Sequence, residues 1–146
     1  MQIWNELTYD WSEKVVESPA HFSLLLFDEE LLFAAKRSSP AILAPGSSKG
    51  DYFEGLWEYD VAELFIADSS GKYLEINLAP NGAWWAMGFV SPRVRDGSFV
   101  VPKGVTIESV IDESSWEASI SIPKEELPFT IAVSYTHLTL PTILLV

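Results

Sequence analysis

The chain predicts an all-β fold, an antiparallel β-sandwich of jelly-roll type. Short apolar runs recur along it, Gly, Pro and Asn-Gly punctuation separates them, and no stretch sustains a helical period. Its 146 residues suit one domain. That length can bury a core without staples, and with no cysteine there are none: no disulfide framework, no thiolate zinc site, no cysteine nucleophile.

Residues 1–20 offer apolar anchors at Trp4, Tyr9 and Trp11 but no clear element. HFSLLLF (21–27) and ELLFAAKR (30–37) read as two strands around the turn residues Asp28 and Glu29. SSPAILAPGSSKGDYFEG (38–55) is dense in Ser, Pro and Gly and reads as a long loop, a kind that often carries function. Within 56–89, LWEYDVAELFIAD, YLEINL and AWWAMGF read as three strands joined by turns at DSSG and PNG. Asn81 and Gly82 both tolerate positive φ, a strong hairpin signal. FVVP (99–102), VTIESVI (105–111) and SWEASISIP (115–123) supply further strands, KEEL (124–127) at most one helical turn, and FTIAVS (129–134) the start of another strand.

The segment SYTHLTLPTILLV (134–146) contains no Asp, Glu, Lys or Arg, unlike the charge-rich chain before it. It resembles the translation of a sequencing-library adapter at the end of a gene. On that reading the domain is 1–133, incomplete at its C-terminus, and 134–146 is a non-native tail. The alternative is a genuine apolar strand. His137 is accordingly set aside from chemistry, leaving His21 as the other histidine.

Net charge is −12, from 9 Lys+Arg and 21 Asp+Glu. Such a chain is repelled by phosphate backbones and anionic membrane surfaces, which argues against nucleic-acid and membrane partners. No transmembrane helix is expected. MQIWNELTYDW lacks the basic region and apolar run of a signal peptide. The expected location is therefore the cytoplasm, unless the sequence is a piece of a longer, secreted multidomain chain.

Side chains alternate along a strand, so the three strands of 56–89 carry two sets. Treating Asn81-Gly82 as a two-residue turn puts Pro80 opposite Ala83. Ala62, Leu64, Ile66, Leu74, Ile76, Leu78, Trp85, Met87 and Phe89 then form the core face. The other face receives Trp57, Tyr59, Val61, Glu63, Phe65, Tyr73, Glu75, Asn77, Trp84, Ala86 and Gly88. Aromatic rings, two carboxylates and an amide together are what a sugar needs. Pyranose C–H faces lie flat on Trp or Tyr, and hydroxyls pair with carboxylates and amides.

The same residues admit other chemistry. They can be ordinary outward surface or the bed of the 38–55 loop, with Glu63 paired to Arg93 or Arg95. Glu63 and Glu75 as near neighbours would repel, raising one pKa, and two carboxylates flanking a glycosidic bond make a glycosidase. Calcium could also resolve the repulsion, with Asp60, Glu63, Glu75 and Asn77 as oxygen ligands, although no EF-hand-like loop is present. The chain has no P-loop, no dinucleotide fingerprint and no G-x-S-x-G.

LWEYDVAELFIAD followed by YLEINLAPNGAWW resembles the family 9 carbohydrate-binding modules and their DOMON-like relatives, and SWEASISIPKEEL is similar to that family's strand and Pro-led turn. The resemblance spans roughly 20–133 and is strongest over 56–89. It implies that Trp57 forms one wall of a sugar slot, that Asp60 and Glu63 are the acidic pair of the strand, and that the glutamate contacts sugar hydroxyls. Two departures stand out. Glu75 occupies the place of an arginine on the next strand. The second wall tryptophan and its Asn belong to the missing C-terminus, with Trp84 a candidate substitute. Some DOMON domains bind haem through Met and His or Lys; here Met87 is expected in the core, with His21 as its complement.

The resulting expectation is non-catalytic binding of an oligosaccharide or small polar ligand, with no cofactor required. Trp57 stacks, Glu63 and Asn77 exchange hydrogen bonds with hydroxyls, and Asp60, Tyr73, Glu75 and Trp84 complete the site. The rival expectation is a DOMON-like interaction or accessory module of unknown ligand.

Overall fold

Alternation of apolar and polar residues builds the strands, and Gly, Pro and Asx turns end them. The computed structural model describes residues 3–9, 13–128, 136–140 and 143–144, the last two stretches by backbone alone. The strands are β1 (Asn5–Tyr9), β2 (Val15–Leu26), β3 (Glu30–Arg37), β4 (Ala62–Ala67), β5 (Tyr73–Leu78), β6 (Trp84–Ser91), β7 (Val94–Arg95), β8 (Thr106–Ile111), β9 (Trp116–Pro123), β10 (Thr136–Leu140) and β11 (Ile143–Leu144).

Two antiparallel sheets result. A 5-stranded sheet has the order β1-β2-β3-β9-β8, and a 6-stranded sheet the order β11-β10-β4-β5-β6-β7. The fold is an antiparallel β-sandwich. Its core lies between Leu31, Phe33 and Ala35 of β3 with Ala118, Ile120 and Ile122 of β9 on one side, and Leu64, Ile66, Leu74, Ile76 and Leu78 of β4 and β5 on the other. Each set is spaced by two, as a sheet with one buried face requires.

β2 and β3 form the expected hairpin, with Leu26 opposite Leu31 and the Phe27 N–H donating to the Glu30 carbonyl at 2.9 Å. The helical turn expected at 124–127 is a 3-10 turn over Lys124–Glu126. No strand forms at 99–102. There the Asp96 carboxylate accepts from the Ser98 N–H, making an Asx turn, and the Phe99 ring sits where Gly88 leaves room. A Cβ at Gly88 would lie 2.9 Å from Phe99 Cδ2. The strand expected at 129–134 falls outside the described residues. β10 and β11, in the segment expected to be a non-native tail, extend the six-stranded sheet beyond β4.

The expected register holds across β4 and β5 and fails across β5 and β6. Glu63 stands opposite Asn77 and Phe65 opposite Glu75, so both glutamates share one face. On β6, Leu78 pairs with Trp84, Asn77 with Trp85 and Glu75 with Met87. Trp84 and Ala86 therefore join the core, while Trp85, Met87 and Phe89 take the outer face with the glutamates. Residues 84–89 of β6 are thus reversed from expectation.

The cause is the turn. The Ala79 N–H donates to the Ala83 carbonyl at 2.8 Å, and the Gly82 N–H to the Ala79 carbonyl at 2.9 Å. Pro80, Asn81 and Gly82 thus make a three-residue loop, with Gly82 in the left-handed region at φ +87. One extra loop residue shifts the register by one. Gly82 is also pressed against β8, where a Cβ would lie 2.7 Å from Ile107 Cγ2.

Candidate binding face on the six-stranded sheet

The outer face of the six-stranded sheet is roofed by the segment between β3 and β4. Asp60 closes that segment at its base: its N–H donates to the Ile42 carbonyl at 3.0 Å, and its Oδ2 accepts from the Ile42 N–H at 2.8 Å. Near the middle, Tyr52 bridges to Trp84, and the Phe53 N–H donates to the Trp84 carbonyl at 2.9 Å. At the hairpin tip the Asn81 amide donates to Ser47 at 3.1 and 3.2 Å. The segment carries Ala44, Leu56 and Val61 down onto Trp85 and Phe89, forming a second apolar cluster outside the main core.

Trp57 does not reach the face by strand alternation. The strand begins at Ala62, and Leu56–Glu58 is a 3-10 turn entered through Gly55. That turn buries Leu56 and leaves Trp57 44% exposed, with its ring edge-on to Trp85 at a centroid distance of 5.1 Å. Tyr73 stacks on Phe89 at 4.9 Å and 9°, so one of its faces is taken by protein.

Beneath these rings lies a polar floor. Glu63 is 8% exposed and Asn77 0%. The buried Asn77 Oδ1 and Nδ2 complete no well-aligned hydrogen bond among the described residues, although the amide lies close enough to Glu75 to favour its carboxylate form. Glu75, two residues along the same face, is half-buried, and burial raises its carboxyl above the ordinary range. The nearby Asn77 amide and the Arg95 guanidinium pull the other way. Arg95, on β7 opposite Phe89, forms an ion pair with Glu54 of the covering segment and lies 5.3 Å from the Trp85 ring centroid.

The structure thus gathers Trp57, Glu63, Tyr73, Glu75 and Asn77 on one side of the sheet. It sends Trp84 into the core at 7% exposure and spends the Asp60 carboxylate on the loop closure. Trp85, rather than Trp84, stands beside Trp57. Sequence reasoning missed Trp85, Arg95 and Glu54 as members of the face. The signal for Trp85 lies in Pro80: Pro followed by Asn-Gly fits a type I turn closed by a left-handed Gly, a three-residue loop. The ion-pair partner of Arg95 is Glu54, where the sequence allowed Glu63.

Other expected constellations are spatially divided. Met87 and His21 lie on the outer faces of opposite sheets. Among the described residues no group of three or more His, Asp or Glu side chains is gathered as a metal ion requires. Among the same residues no helix is long and apolar enough to cross a membrane.

Known proteins resemble the chain mainly in architecture. No family profile matches it. It is 27% identical over 86 residues to a zebrafish (Danio rerio) protein named UPF0462 protein C4orf33 homolog, a match covering 58% of this chain and 42% of that relative. The chain thus matches under half the length of that curated relative. Among solved structures it resembles a candidate carbohydrate-binding protein from Bacteroides uniformis, with TM-score 0.68 and 16% identity, covering 95% of this chain and 71% of that one. It also resembles a family 9 carbohydrate-binding module from Caldicellulosiruptor kristjanssonii in complex with glucose, with TM-score 0.62 and 12% identity, covering 95% and 66%. A module of that family and organism in complex with cellotriose gives TM-score 0.57 and 14% identity, covering 95% and 65%. At these identities the likeness is one of fold: the chain shares its two-sheet antiparallel sandwich with family 9 carbohydrate-binding modules.

Proposed function

We propose that the protein binds carbohydrate without turning it over, through the outer face of the six-stranded sheet. The observation that carries this reading is the pairing of an exposed, wedged Trp57 with a buried polar floor of Glu63 and Asn77 on the same side. A pyranose ring stacks on Trp57, which Trp85 holds in place from behind. Glu75, at the edge of the floor, meets hydroxyls. Asn77 offers both a donor and an acceptor to a hydroxyl that reaches it. The solved modules of this architecture, bound to glucose and cellotriose, support the ligand class.

The reading needs no cofactor and assigns no catalytic role. Glu63 faces Asn77 and Glu75 faces Phe65, so the two carboxylates are diagonal neighbours on the face. Calcium spanning Glu63, Glu75 and Asn77 would appear as a rise in unfolding temperature on adding calcium chloride. Turnover of an aryl glycoside, abolished by both Glu63→Gln and Glu75→Gln, would replace binding by hydrolysis.

The test is titration with cello-oligosaccharides. Saturable binding is expected in the wild type and none in Trp57→Ala. The unfolding temperature of the variant should fall only by the equivalent of an aromatic pair, about 0.5–1.5 kcal/mol. Absence of binding to a panel of neutral glycans, with capture of a protein partner instead, would favour the DOMON-like accessory module.

A further inference from the structure

The two sheets end in four edge strands: β1 and β8 on one, β7 and β11 on the other. An edge strand offers N–H and C=O groups to any extended chain, and proteins blunt it by shortness, bulges, Lys or Pro. Three of the four are blunted. β7 and β11 are two residues long, and the register of β1 shifts between Leu7 and Tyr9.

β8 is built differently. It pairs with β9 without a break from Thr106 opposite Ser121 to Ile111 opposite Trp116, and its sequence, TIESVI, holds no Lys, Pro or Gly. Among the described residues its backbone bonds to β9 alone. Its inner side is anchored: Ile107 packs on the core, and the Ser109 Oγ donates to the Asn81 carbonyl at 3.1 Å. Its other side chains are open. Thr106 and Glu108 are exposed, Val110 is 72% exposed and Ile111 41%. A straight, well-held strand with apolar exposure thus ends the five-stranded sheet.

The charges choose the occupant. Glu108 lies mid-strand, and Asp112 and Glu113 follow its end. The cations nearby are Lys103, before its start, and Lys49, beside Gly82. A second copy fits poorly. Each copy carries a net charge of −12. Antiparallel pairing of β8 with itself about Glu108 sets that carboxylate against its own copy, and pairing about Ser109 sets it against Val110. A segment with Lys or Arg opposite Glu108, and an apolar residue two places away opposite Val110, meets neither conflict.

The geometry points to β8 as a docking edge that takes an extended segment of a partner protein, with Lys or Arg spaced among apolar side chains, as an added strand. The edge belongs to the other sheet from Trp57 and does not depend on the carbohydrate reading.

The probe is the palindromic peptide acetyl-KVVTKTVVK-amide, which presents the same side chains in either strand direction. With its central Lys opposite Glu108, Val falls opposite Val110. Binding to the full chain is read by anisotropy of labelled peptide and by hydrogen–deuterium exchange. Exchange should slow in 106–111 and stay unchanged in β1 and β7. Salt should weaken binding, and the counterpart acetyl-EVVTETVVE-amide should bind at least about tenfold more weakly. Glu108→Lys should weaken the Lys peptide by about tenfold and strengthen the Glu peptide, an exchange of preference that a damaged fold does not produce. Val110→Lys, at an exposed position, should weaken binding without moving the melting temperature. The proposal is overturned by unchanged exchange in 106–111 at saturating Lys peptide, by equal affinity for the two peptides, or by wild-type preference in folded Glu108→Lys. A concentration-dependent dimer that protects 106–111 without peptide would also overturn it, making a second copy the occupant.

Discussion

The two outer faces of the sandwich solve the same packing problem in opposite ways. In the five-stranded sheet β2 and β3, and β8 and β9, are joined by short turns, and its outer face carries Leu25, Leu32 and Ser121 in one row, Ser23, Ala34 and Ser119 in the next and His21, Lys36 and Glu117 in the third. The six-stranded sheet receives the long segment between β3 and β4, and its outer face carries Trp85, Met87 and Phe89 for that segment to cover. Where a loop lies on a sheet, aromatic residues bind it down and polar residues beneath become a buried floor. On the five-stranded sheet the outer-face Ser23 and Ala34 are buried, and Lys36 and Glu117 line a groove beside them.

The strongest way to break this contrast is to remove the adhesive from the covered face. Trp85→Ala should cost about 3–5 kcal/mol, as for other buried aromatic deletions. It should also make the 38–61 segment the first site of proteolytic cleavage. A Lys36→Ala variant, on the open face, should leave both the unfolding temperature and the cleavage pattern near the wild type. Equal losses would mean that the two faces are not differently built.

A smaller effect is expected at the hairpin that sets the register. Gly82→Ala forces a side chain into a left-handed backbone and against Ile107, and should destabilise by about 1–3 kcal/mol. At Gly97 an added Cβ would meet nothing within 4 Å, so alanine should be accepted there at little cost. Paired thermal melts of the two variants check the difference.

How much is legible in the sequence follows from these same residues. The sandwich, the β2–β3 hairpin and the shared face of Glu63 and Glu75 are readable, because period-two alternation reports directly which side chains face a core. The orientation of β6 is not. It hangs on one residue of loop length, and Trp84 and Trp85 are adjacent and equally apolar, so hydrophobicity cannot arbitrate. Trp57 reads as a strand residue because Trp, Tyr and Val favour strands, whereas the covering segment bends it into a 3-10 turn. Arg95 and Glu54 lie 41 positions apart, a contact that local pattern does not encode.

The smallest predicted effect separates buried acid from turn acid. Burial raises Glu75, so the folded state increasingly loses stability as pH rises through the unfolded and then the folded pKa of that group. Glu75→Gln removes this cost. Its melting temperature should exceed the wild type's at pH 7, and the gap should close below about pH 4, where the carboxyl is protonated in both states. Asp68, Asp96 and Asp112 have the opposite sign. Ser70, Ser98 and Ser114–Ser115 donate to their carboxylates and hold them below the ordinary range. Their stabilisation is present above the unfolded pKa and disappears as pH falls through the folded one. A pH series of melts on the wild type, Glu75→Gln and Asp112→Asn would show gaps that move in opposite directions with acid.

The central claim is that the covered face, through Trp57, is where sugar binds. Isothermal titration of cellotriose into the wild type, Trp57→Ala and Lys36→Ala tests it most directly. The account predicts saturable heats in the wild type and in Lys36→Ala, and none in a folded Trp57→Ala. Binding that survives Trp57→Ala and disappears in Lys36→Ala would contradict it.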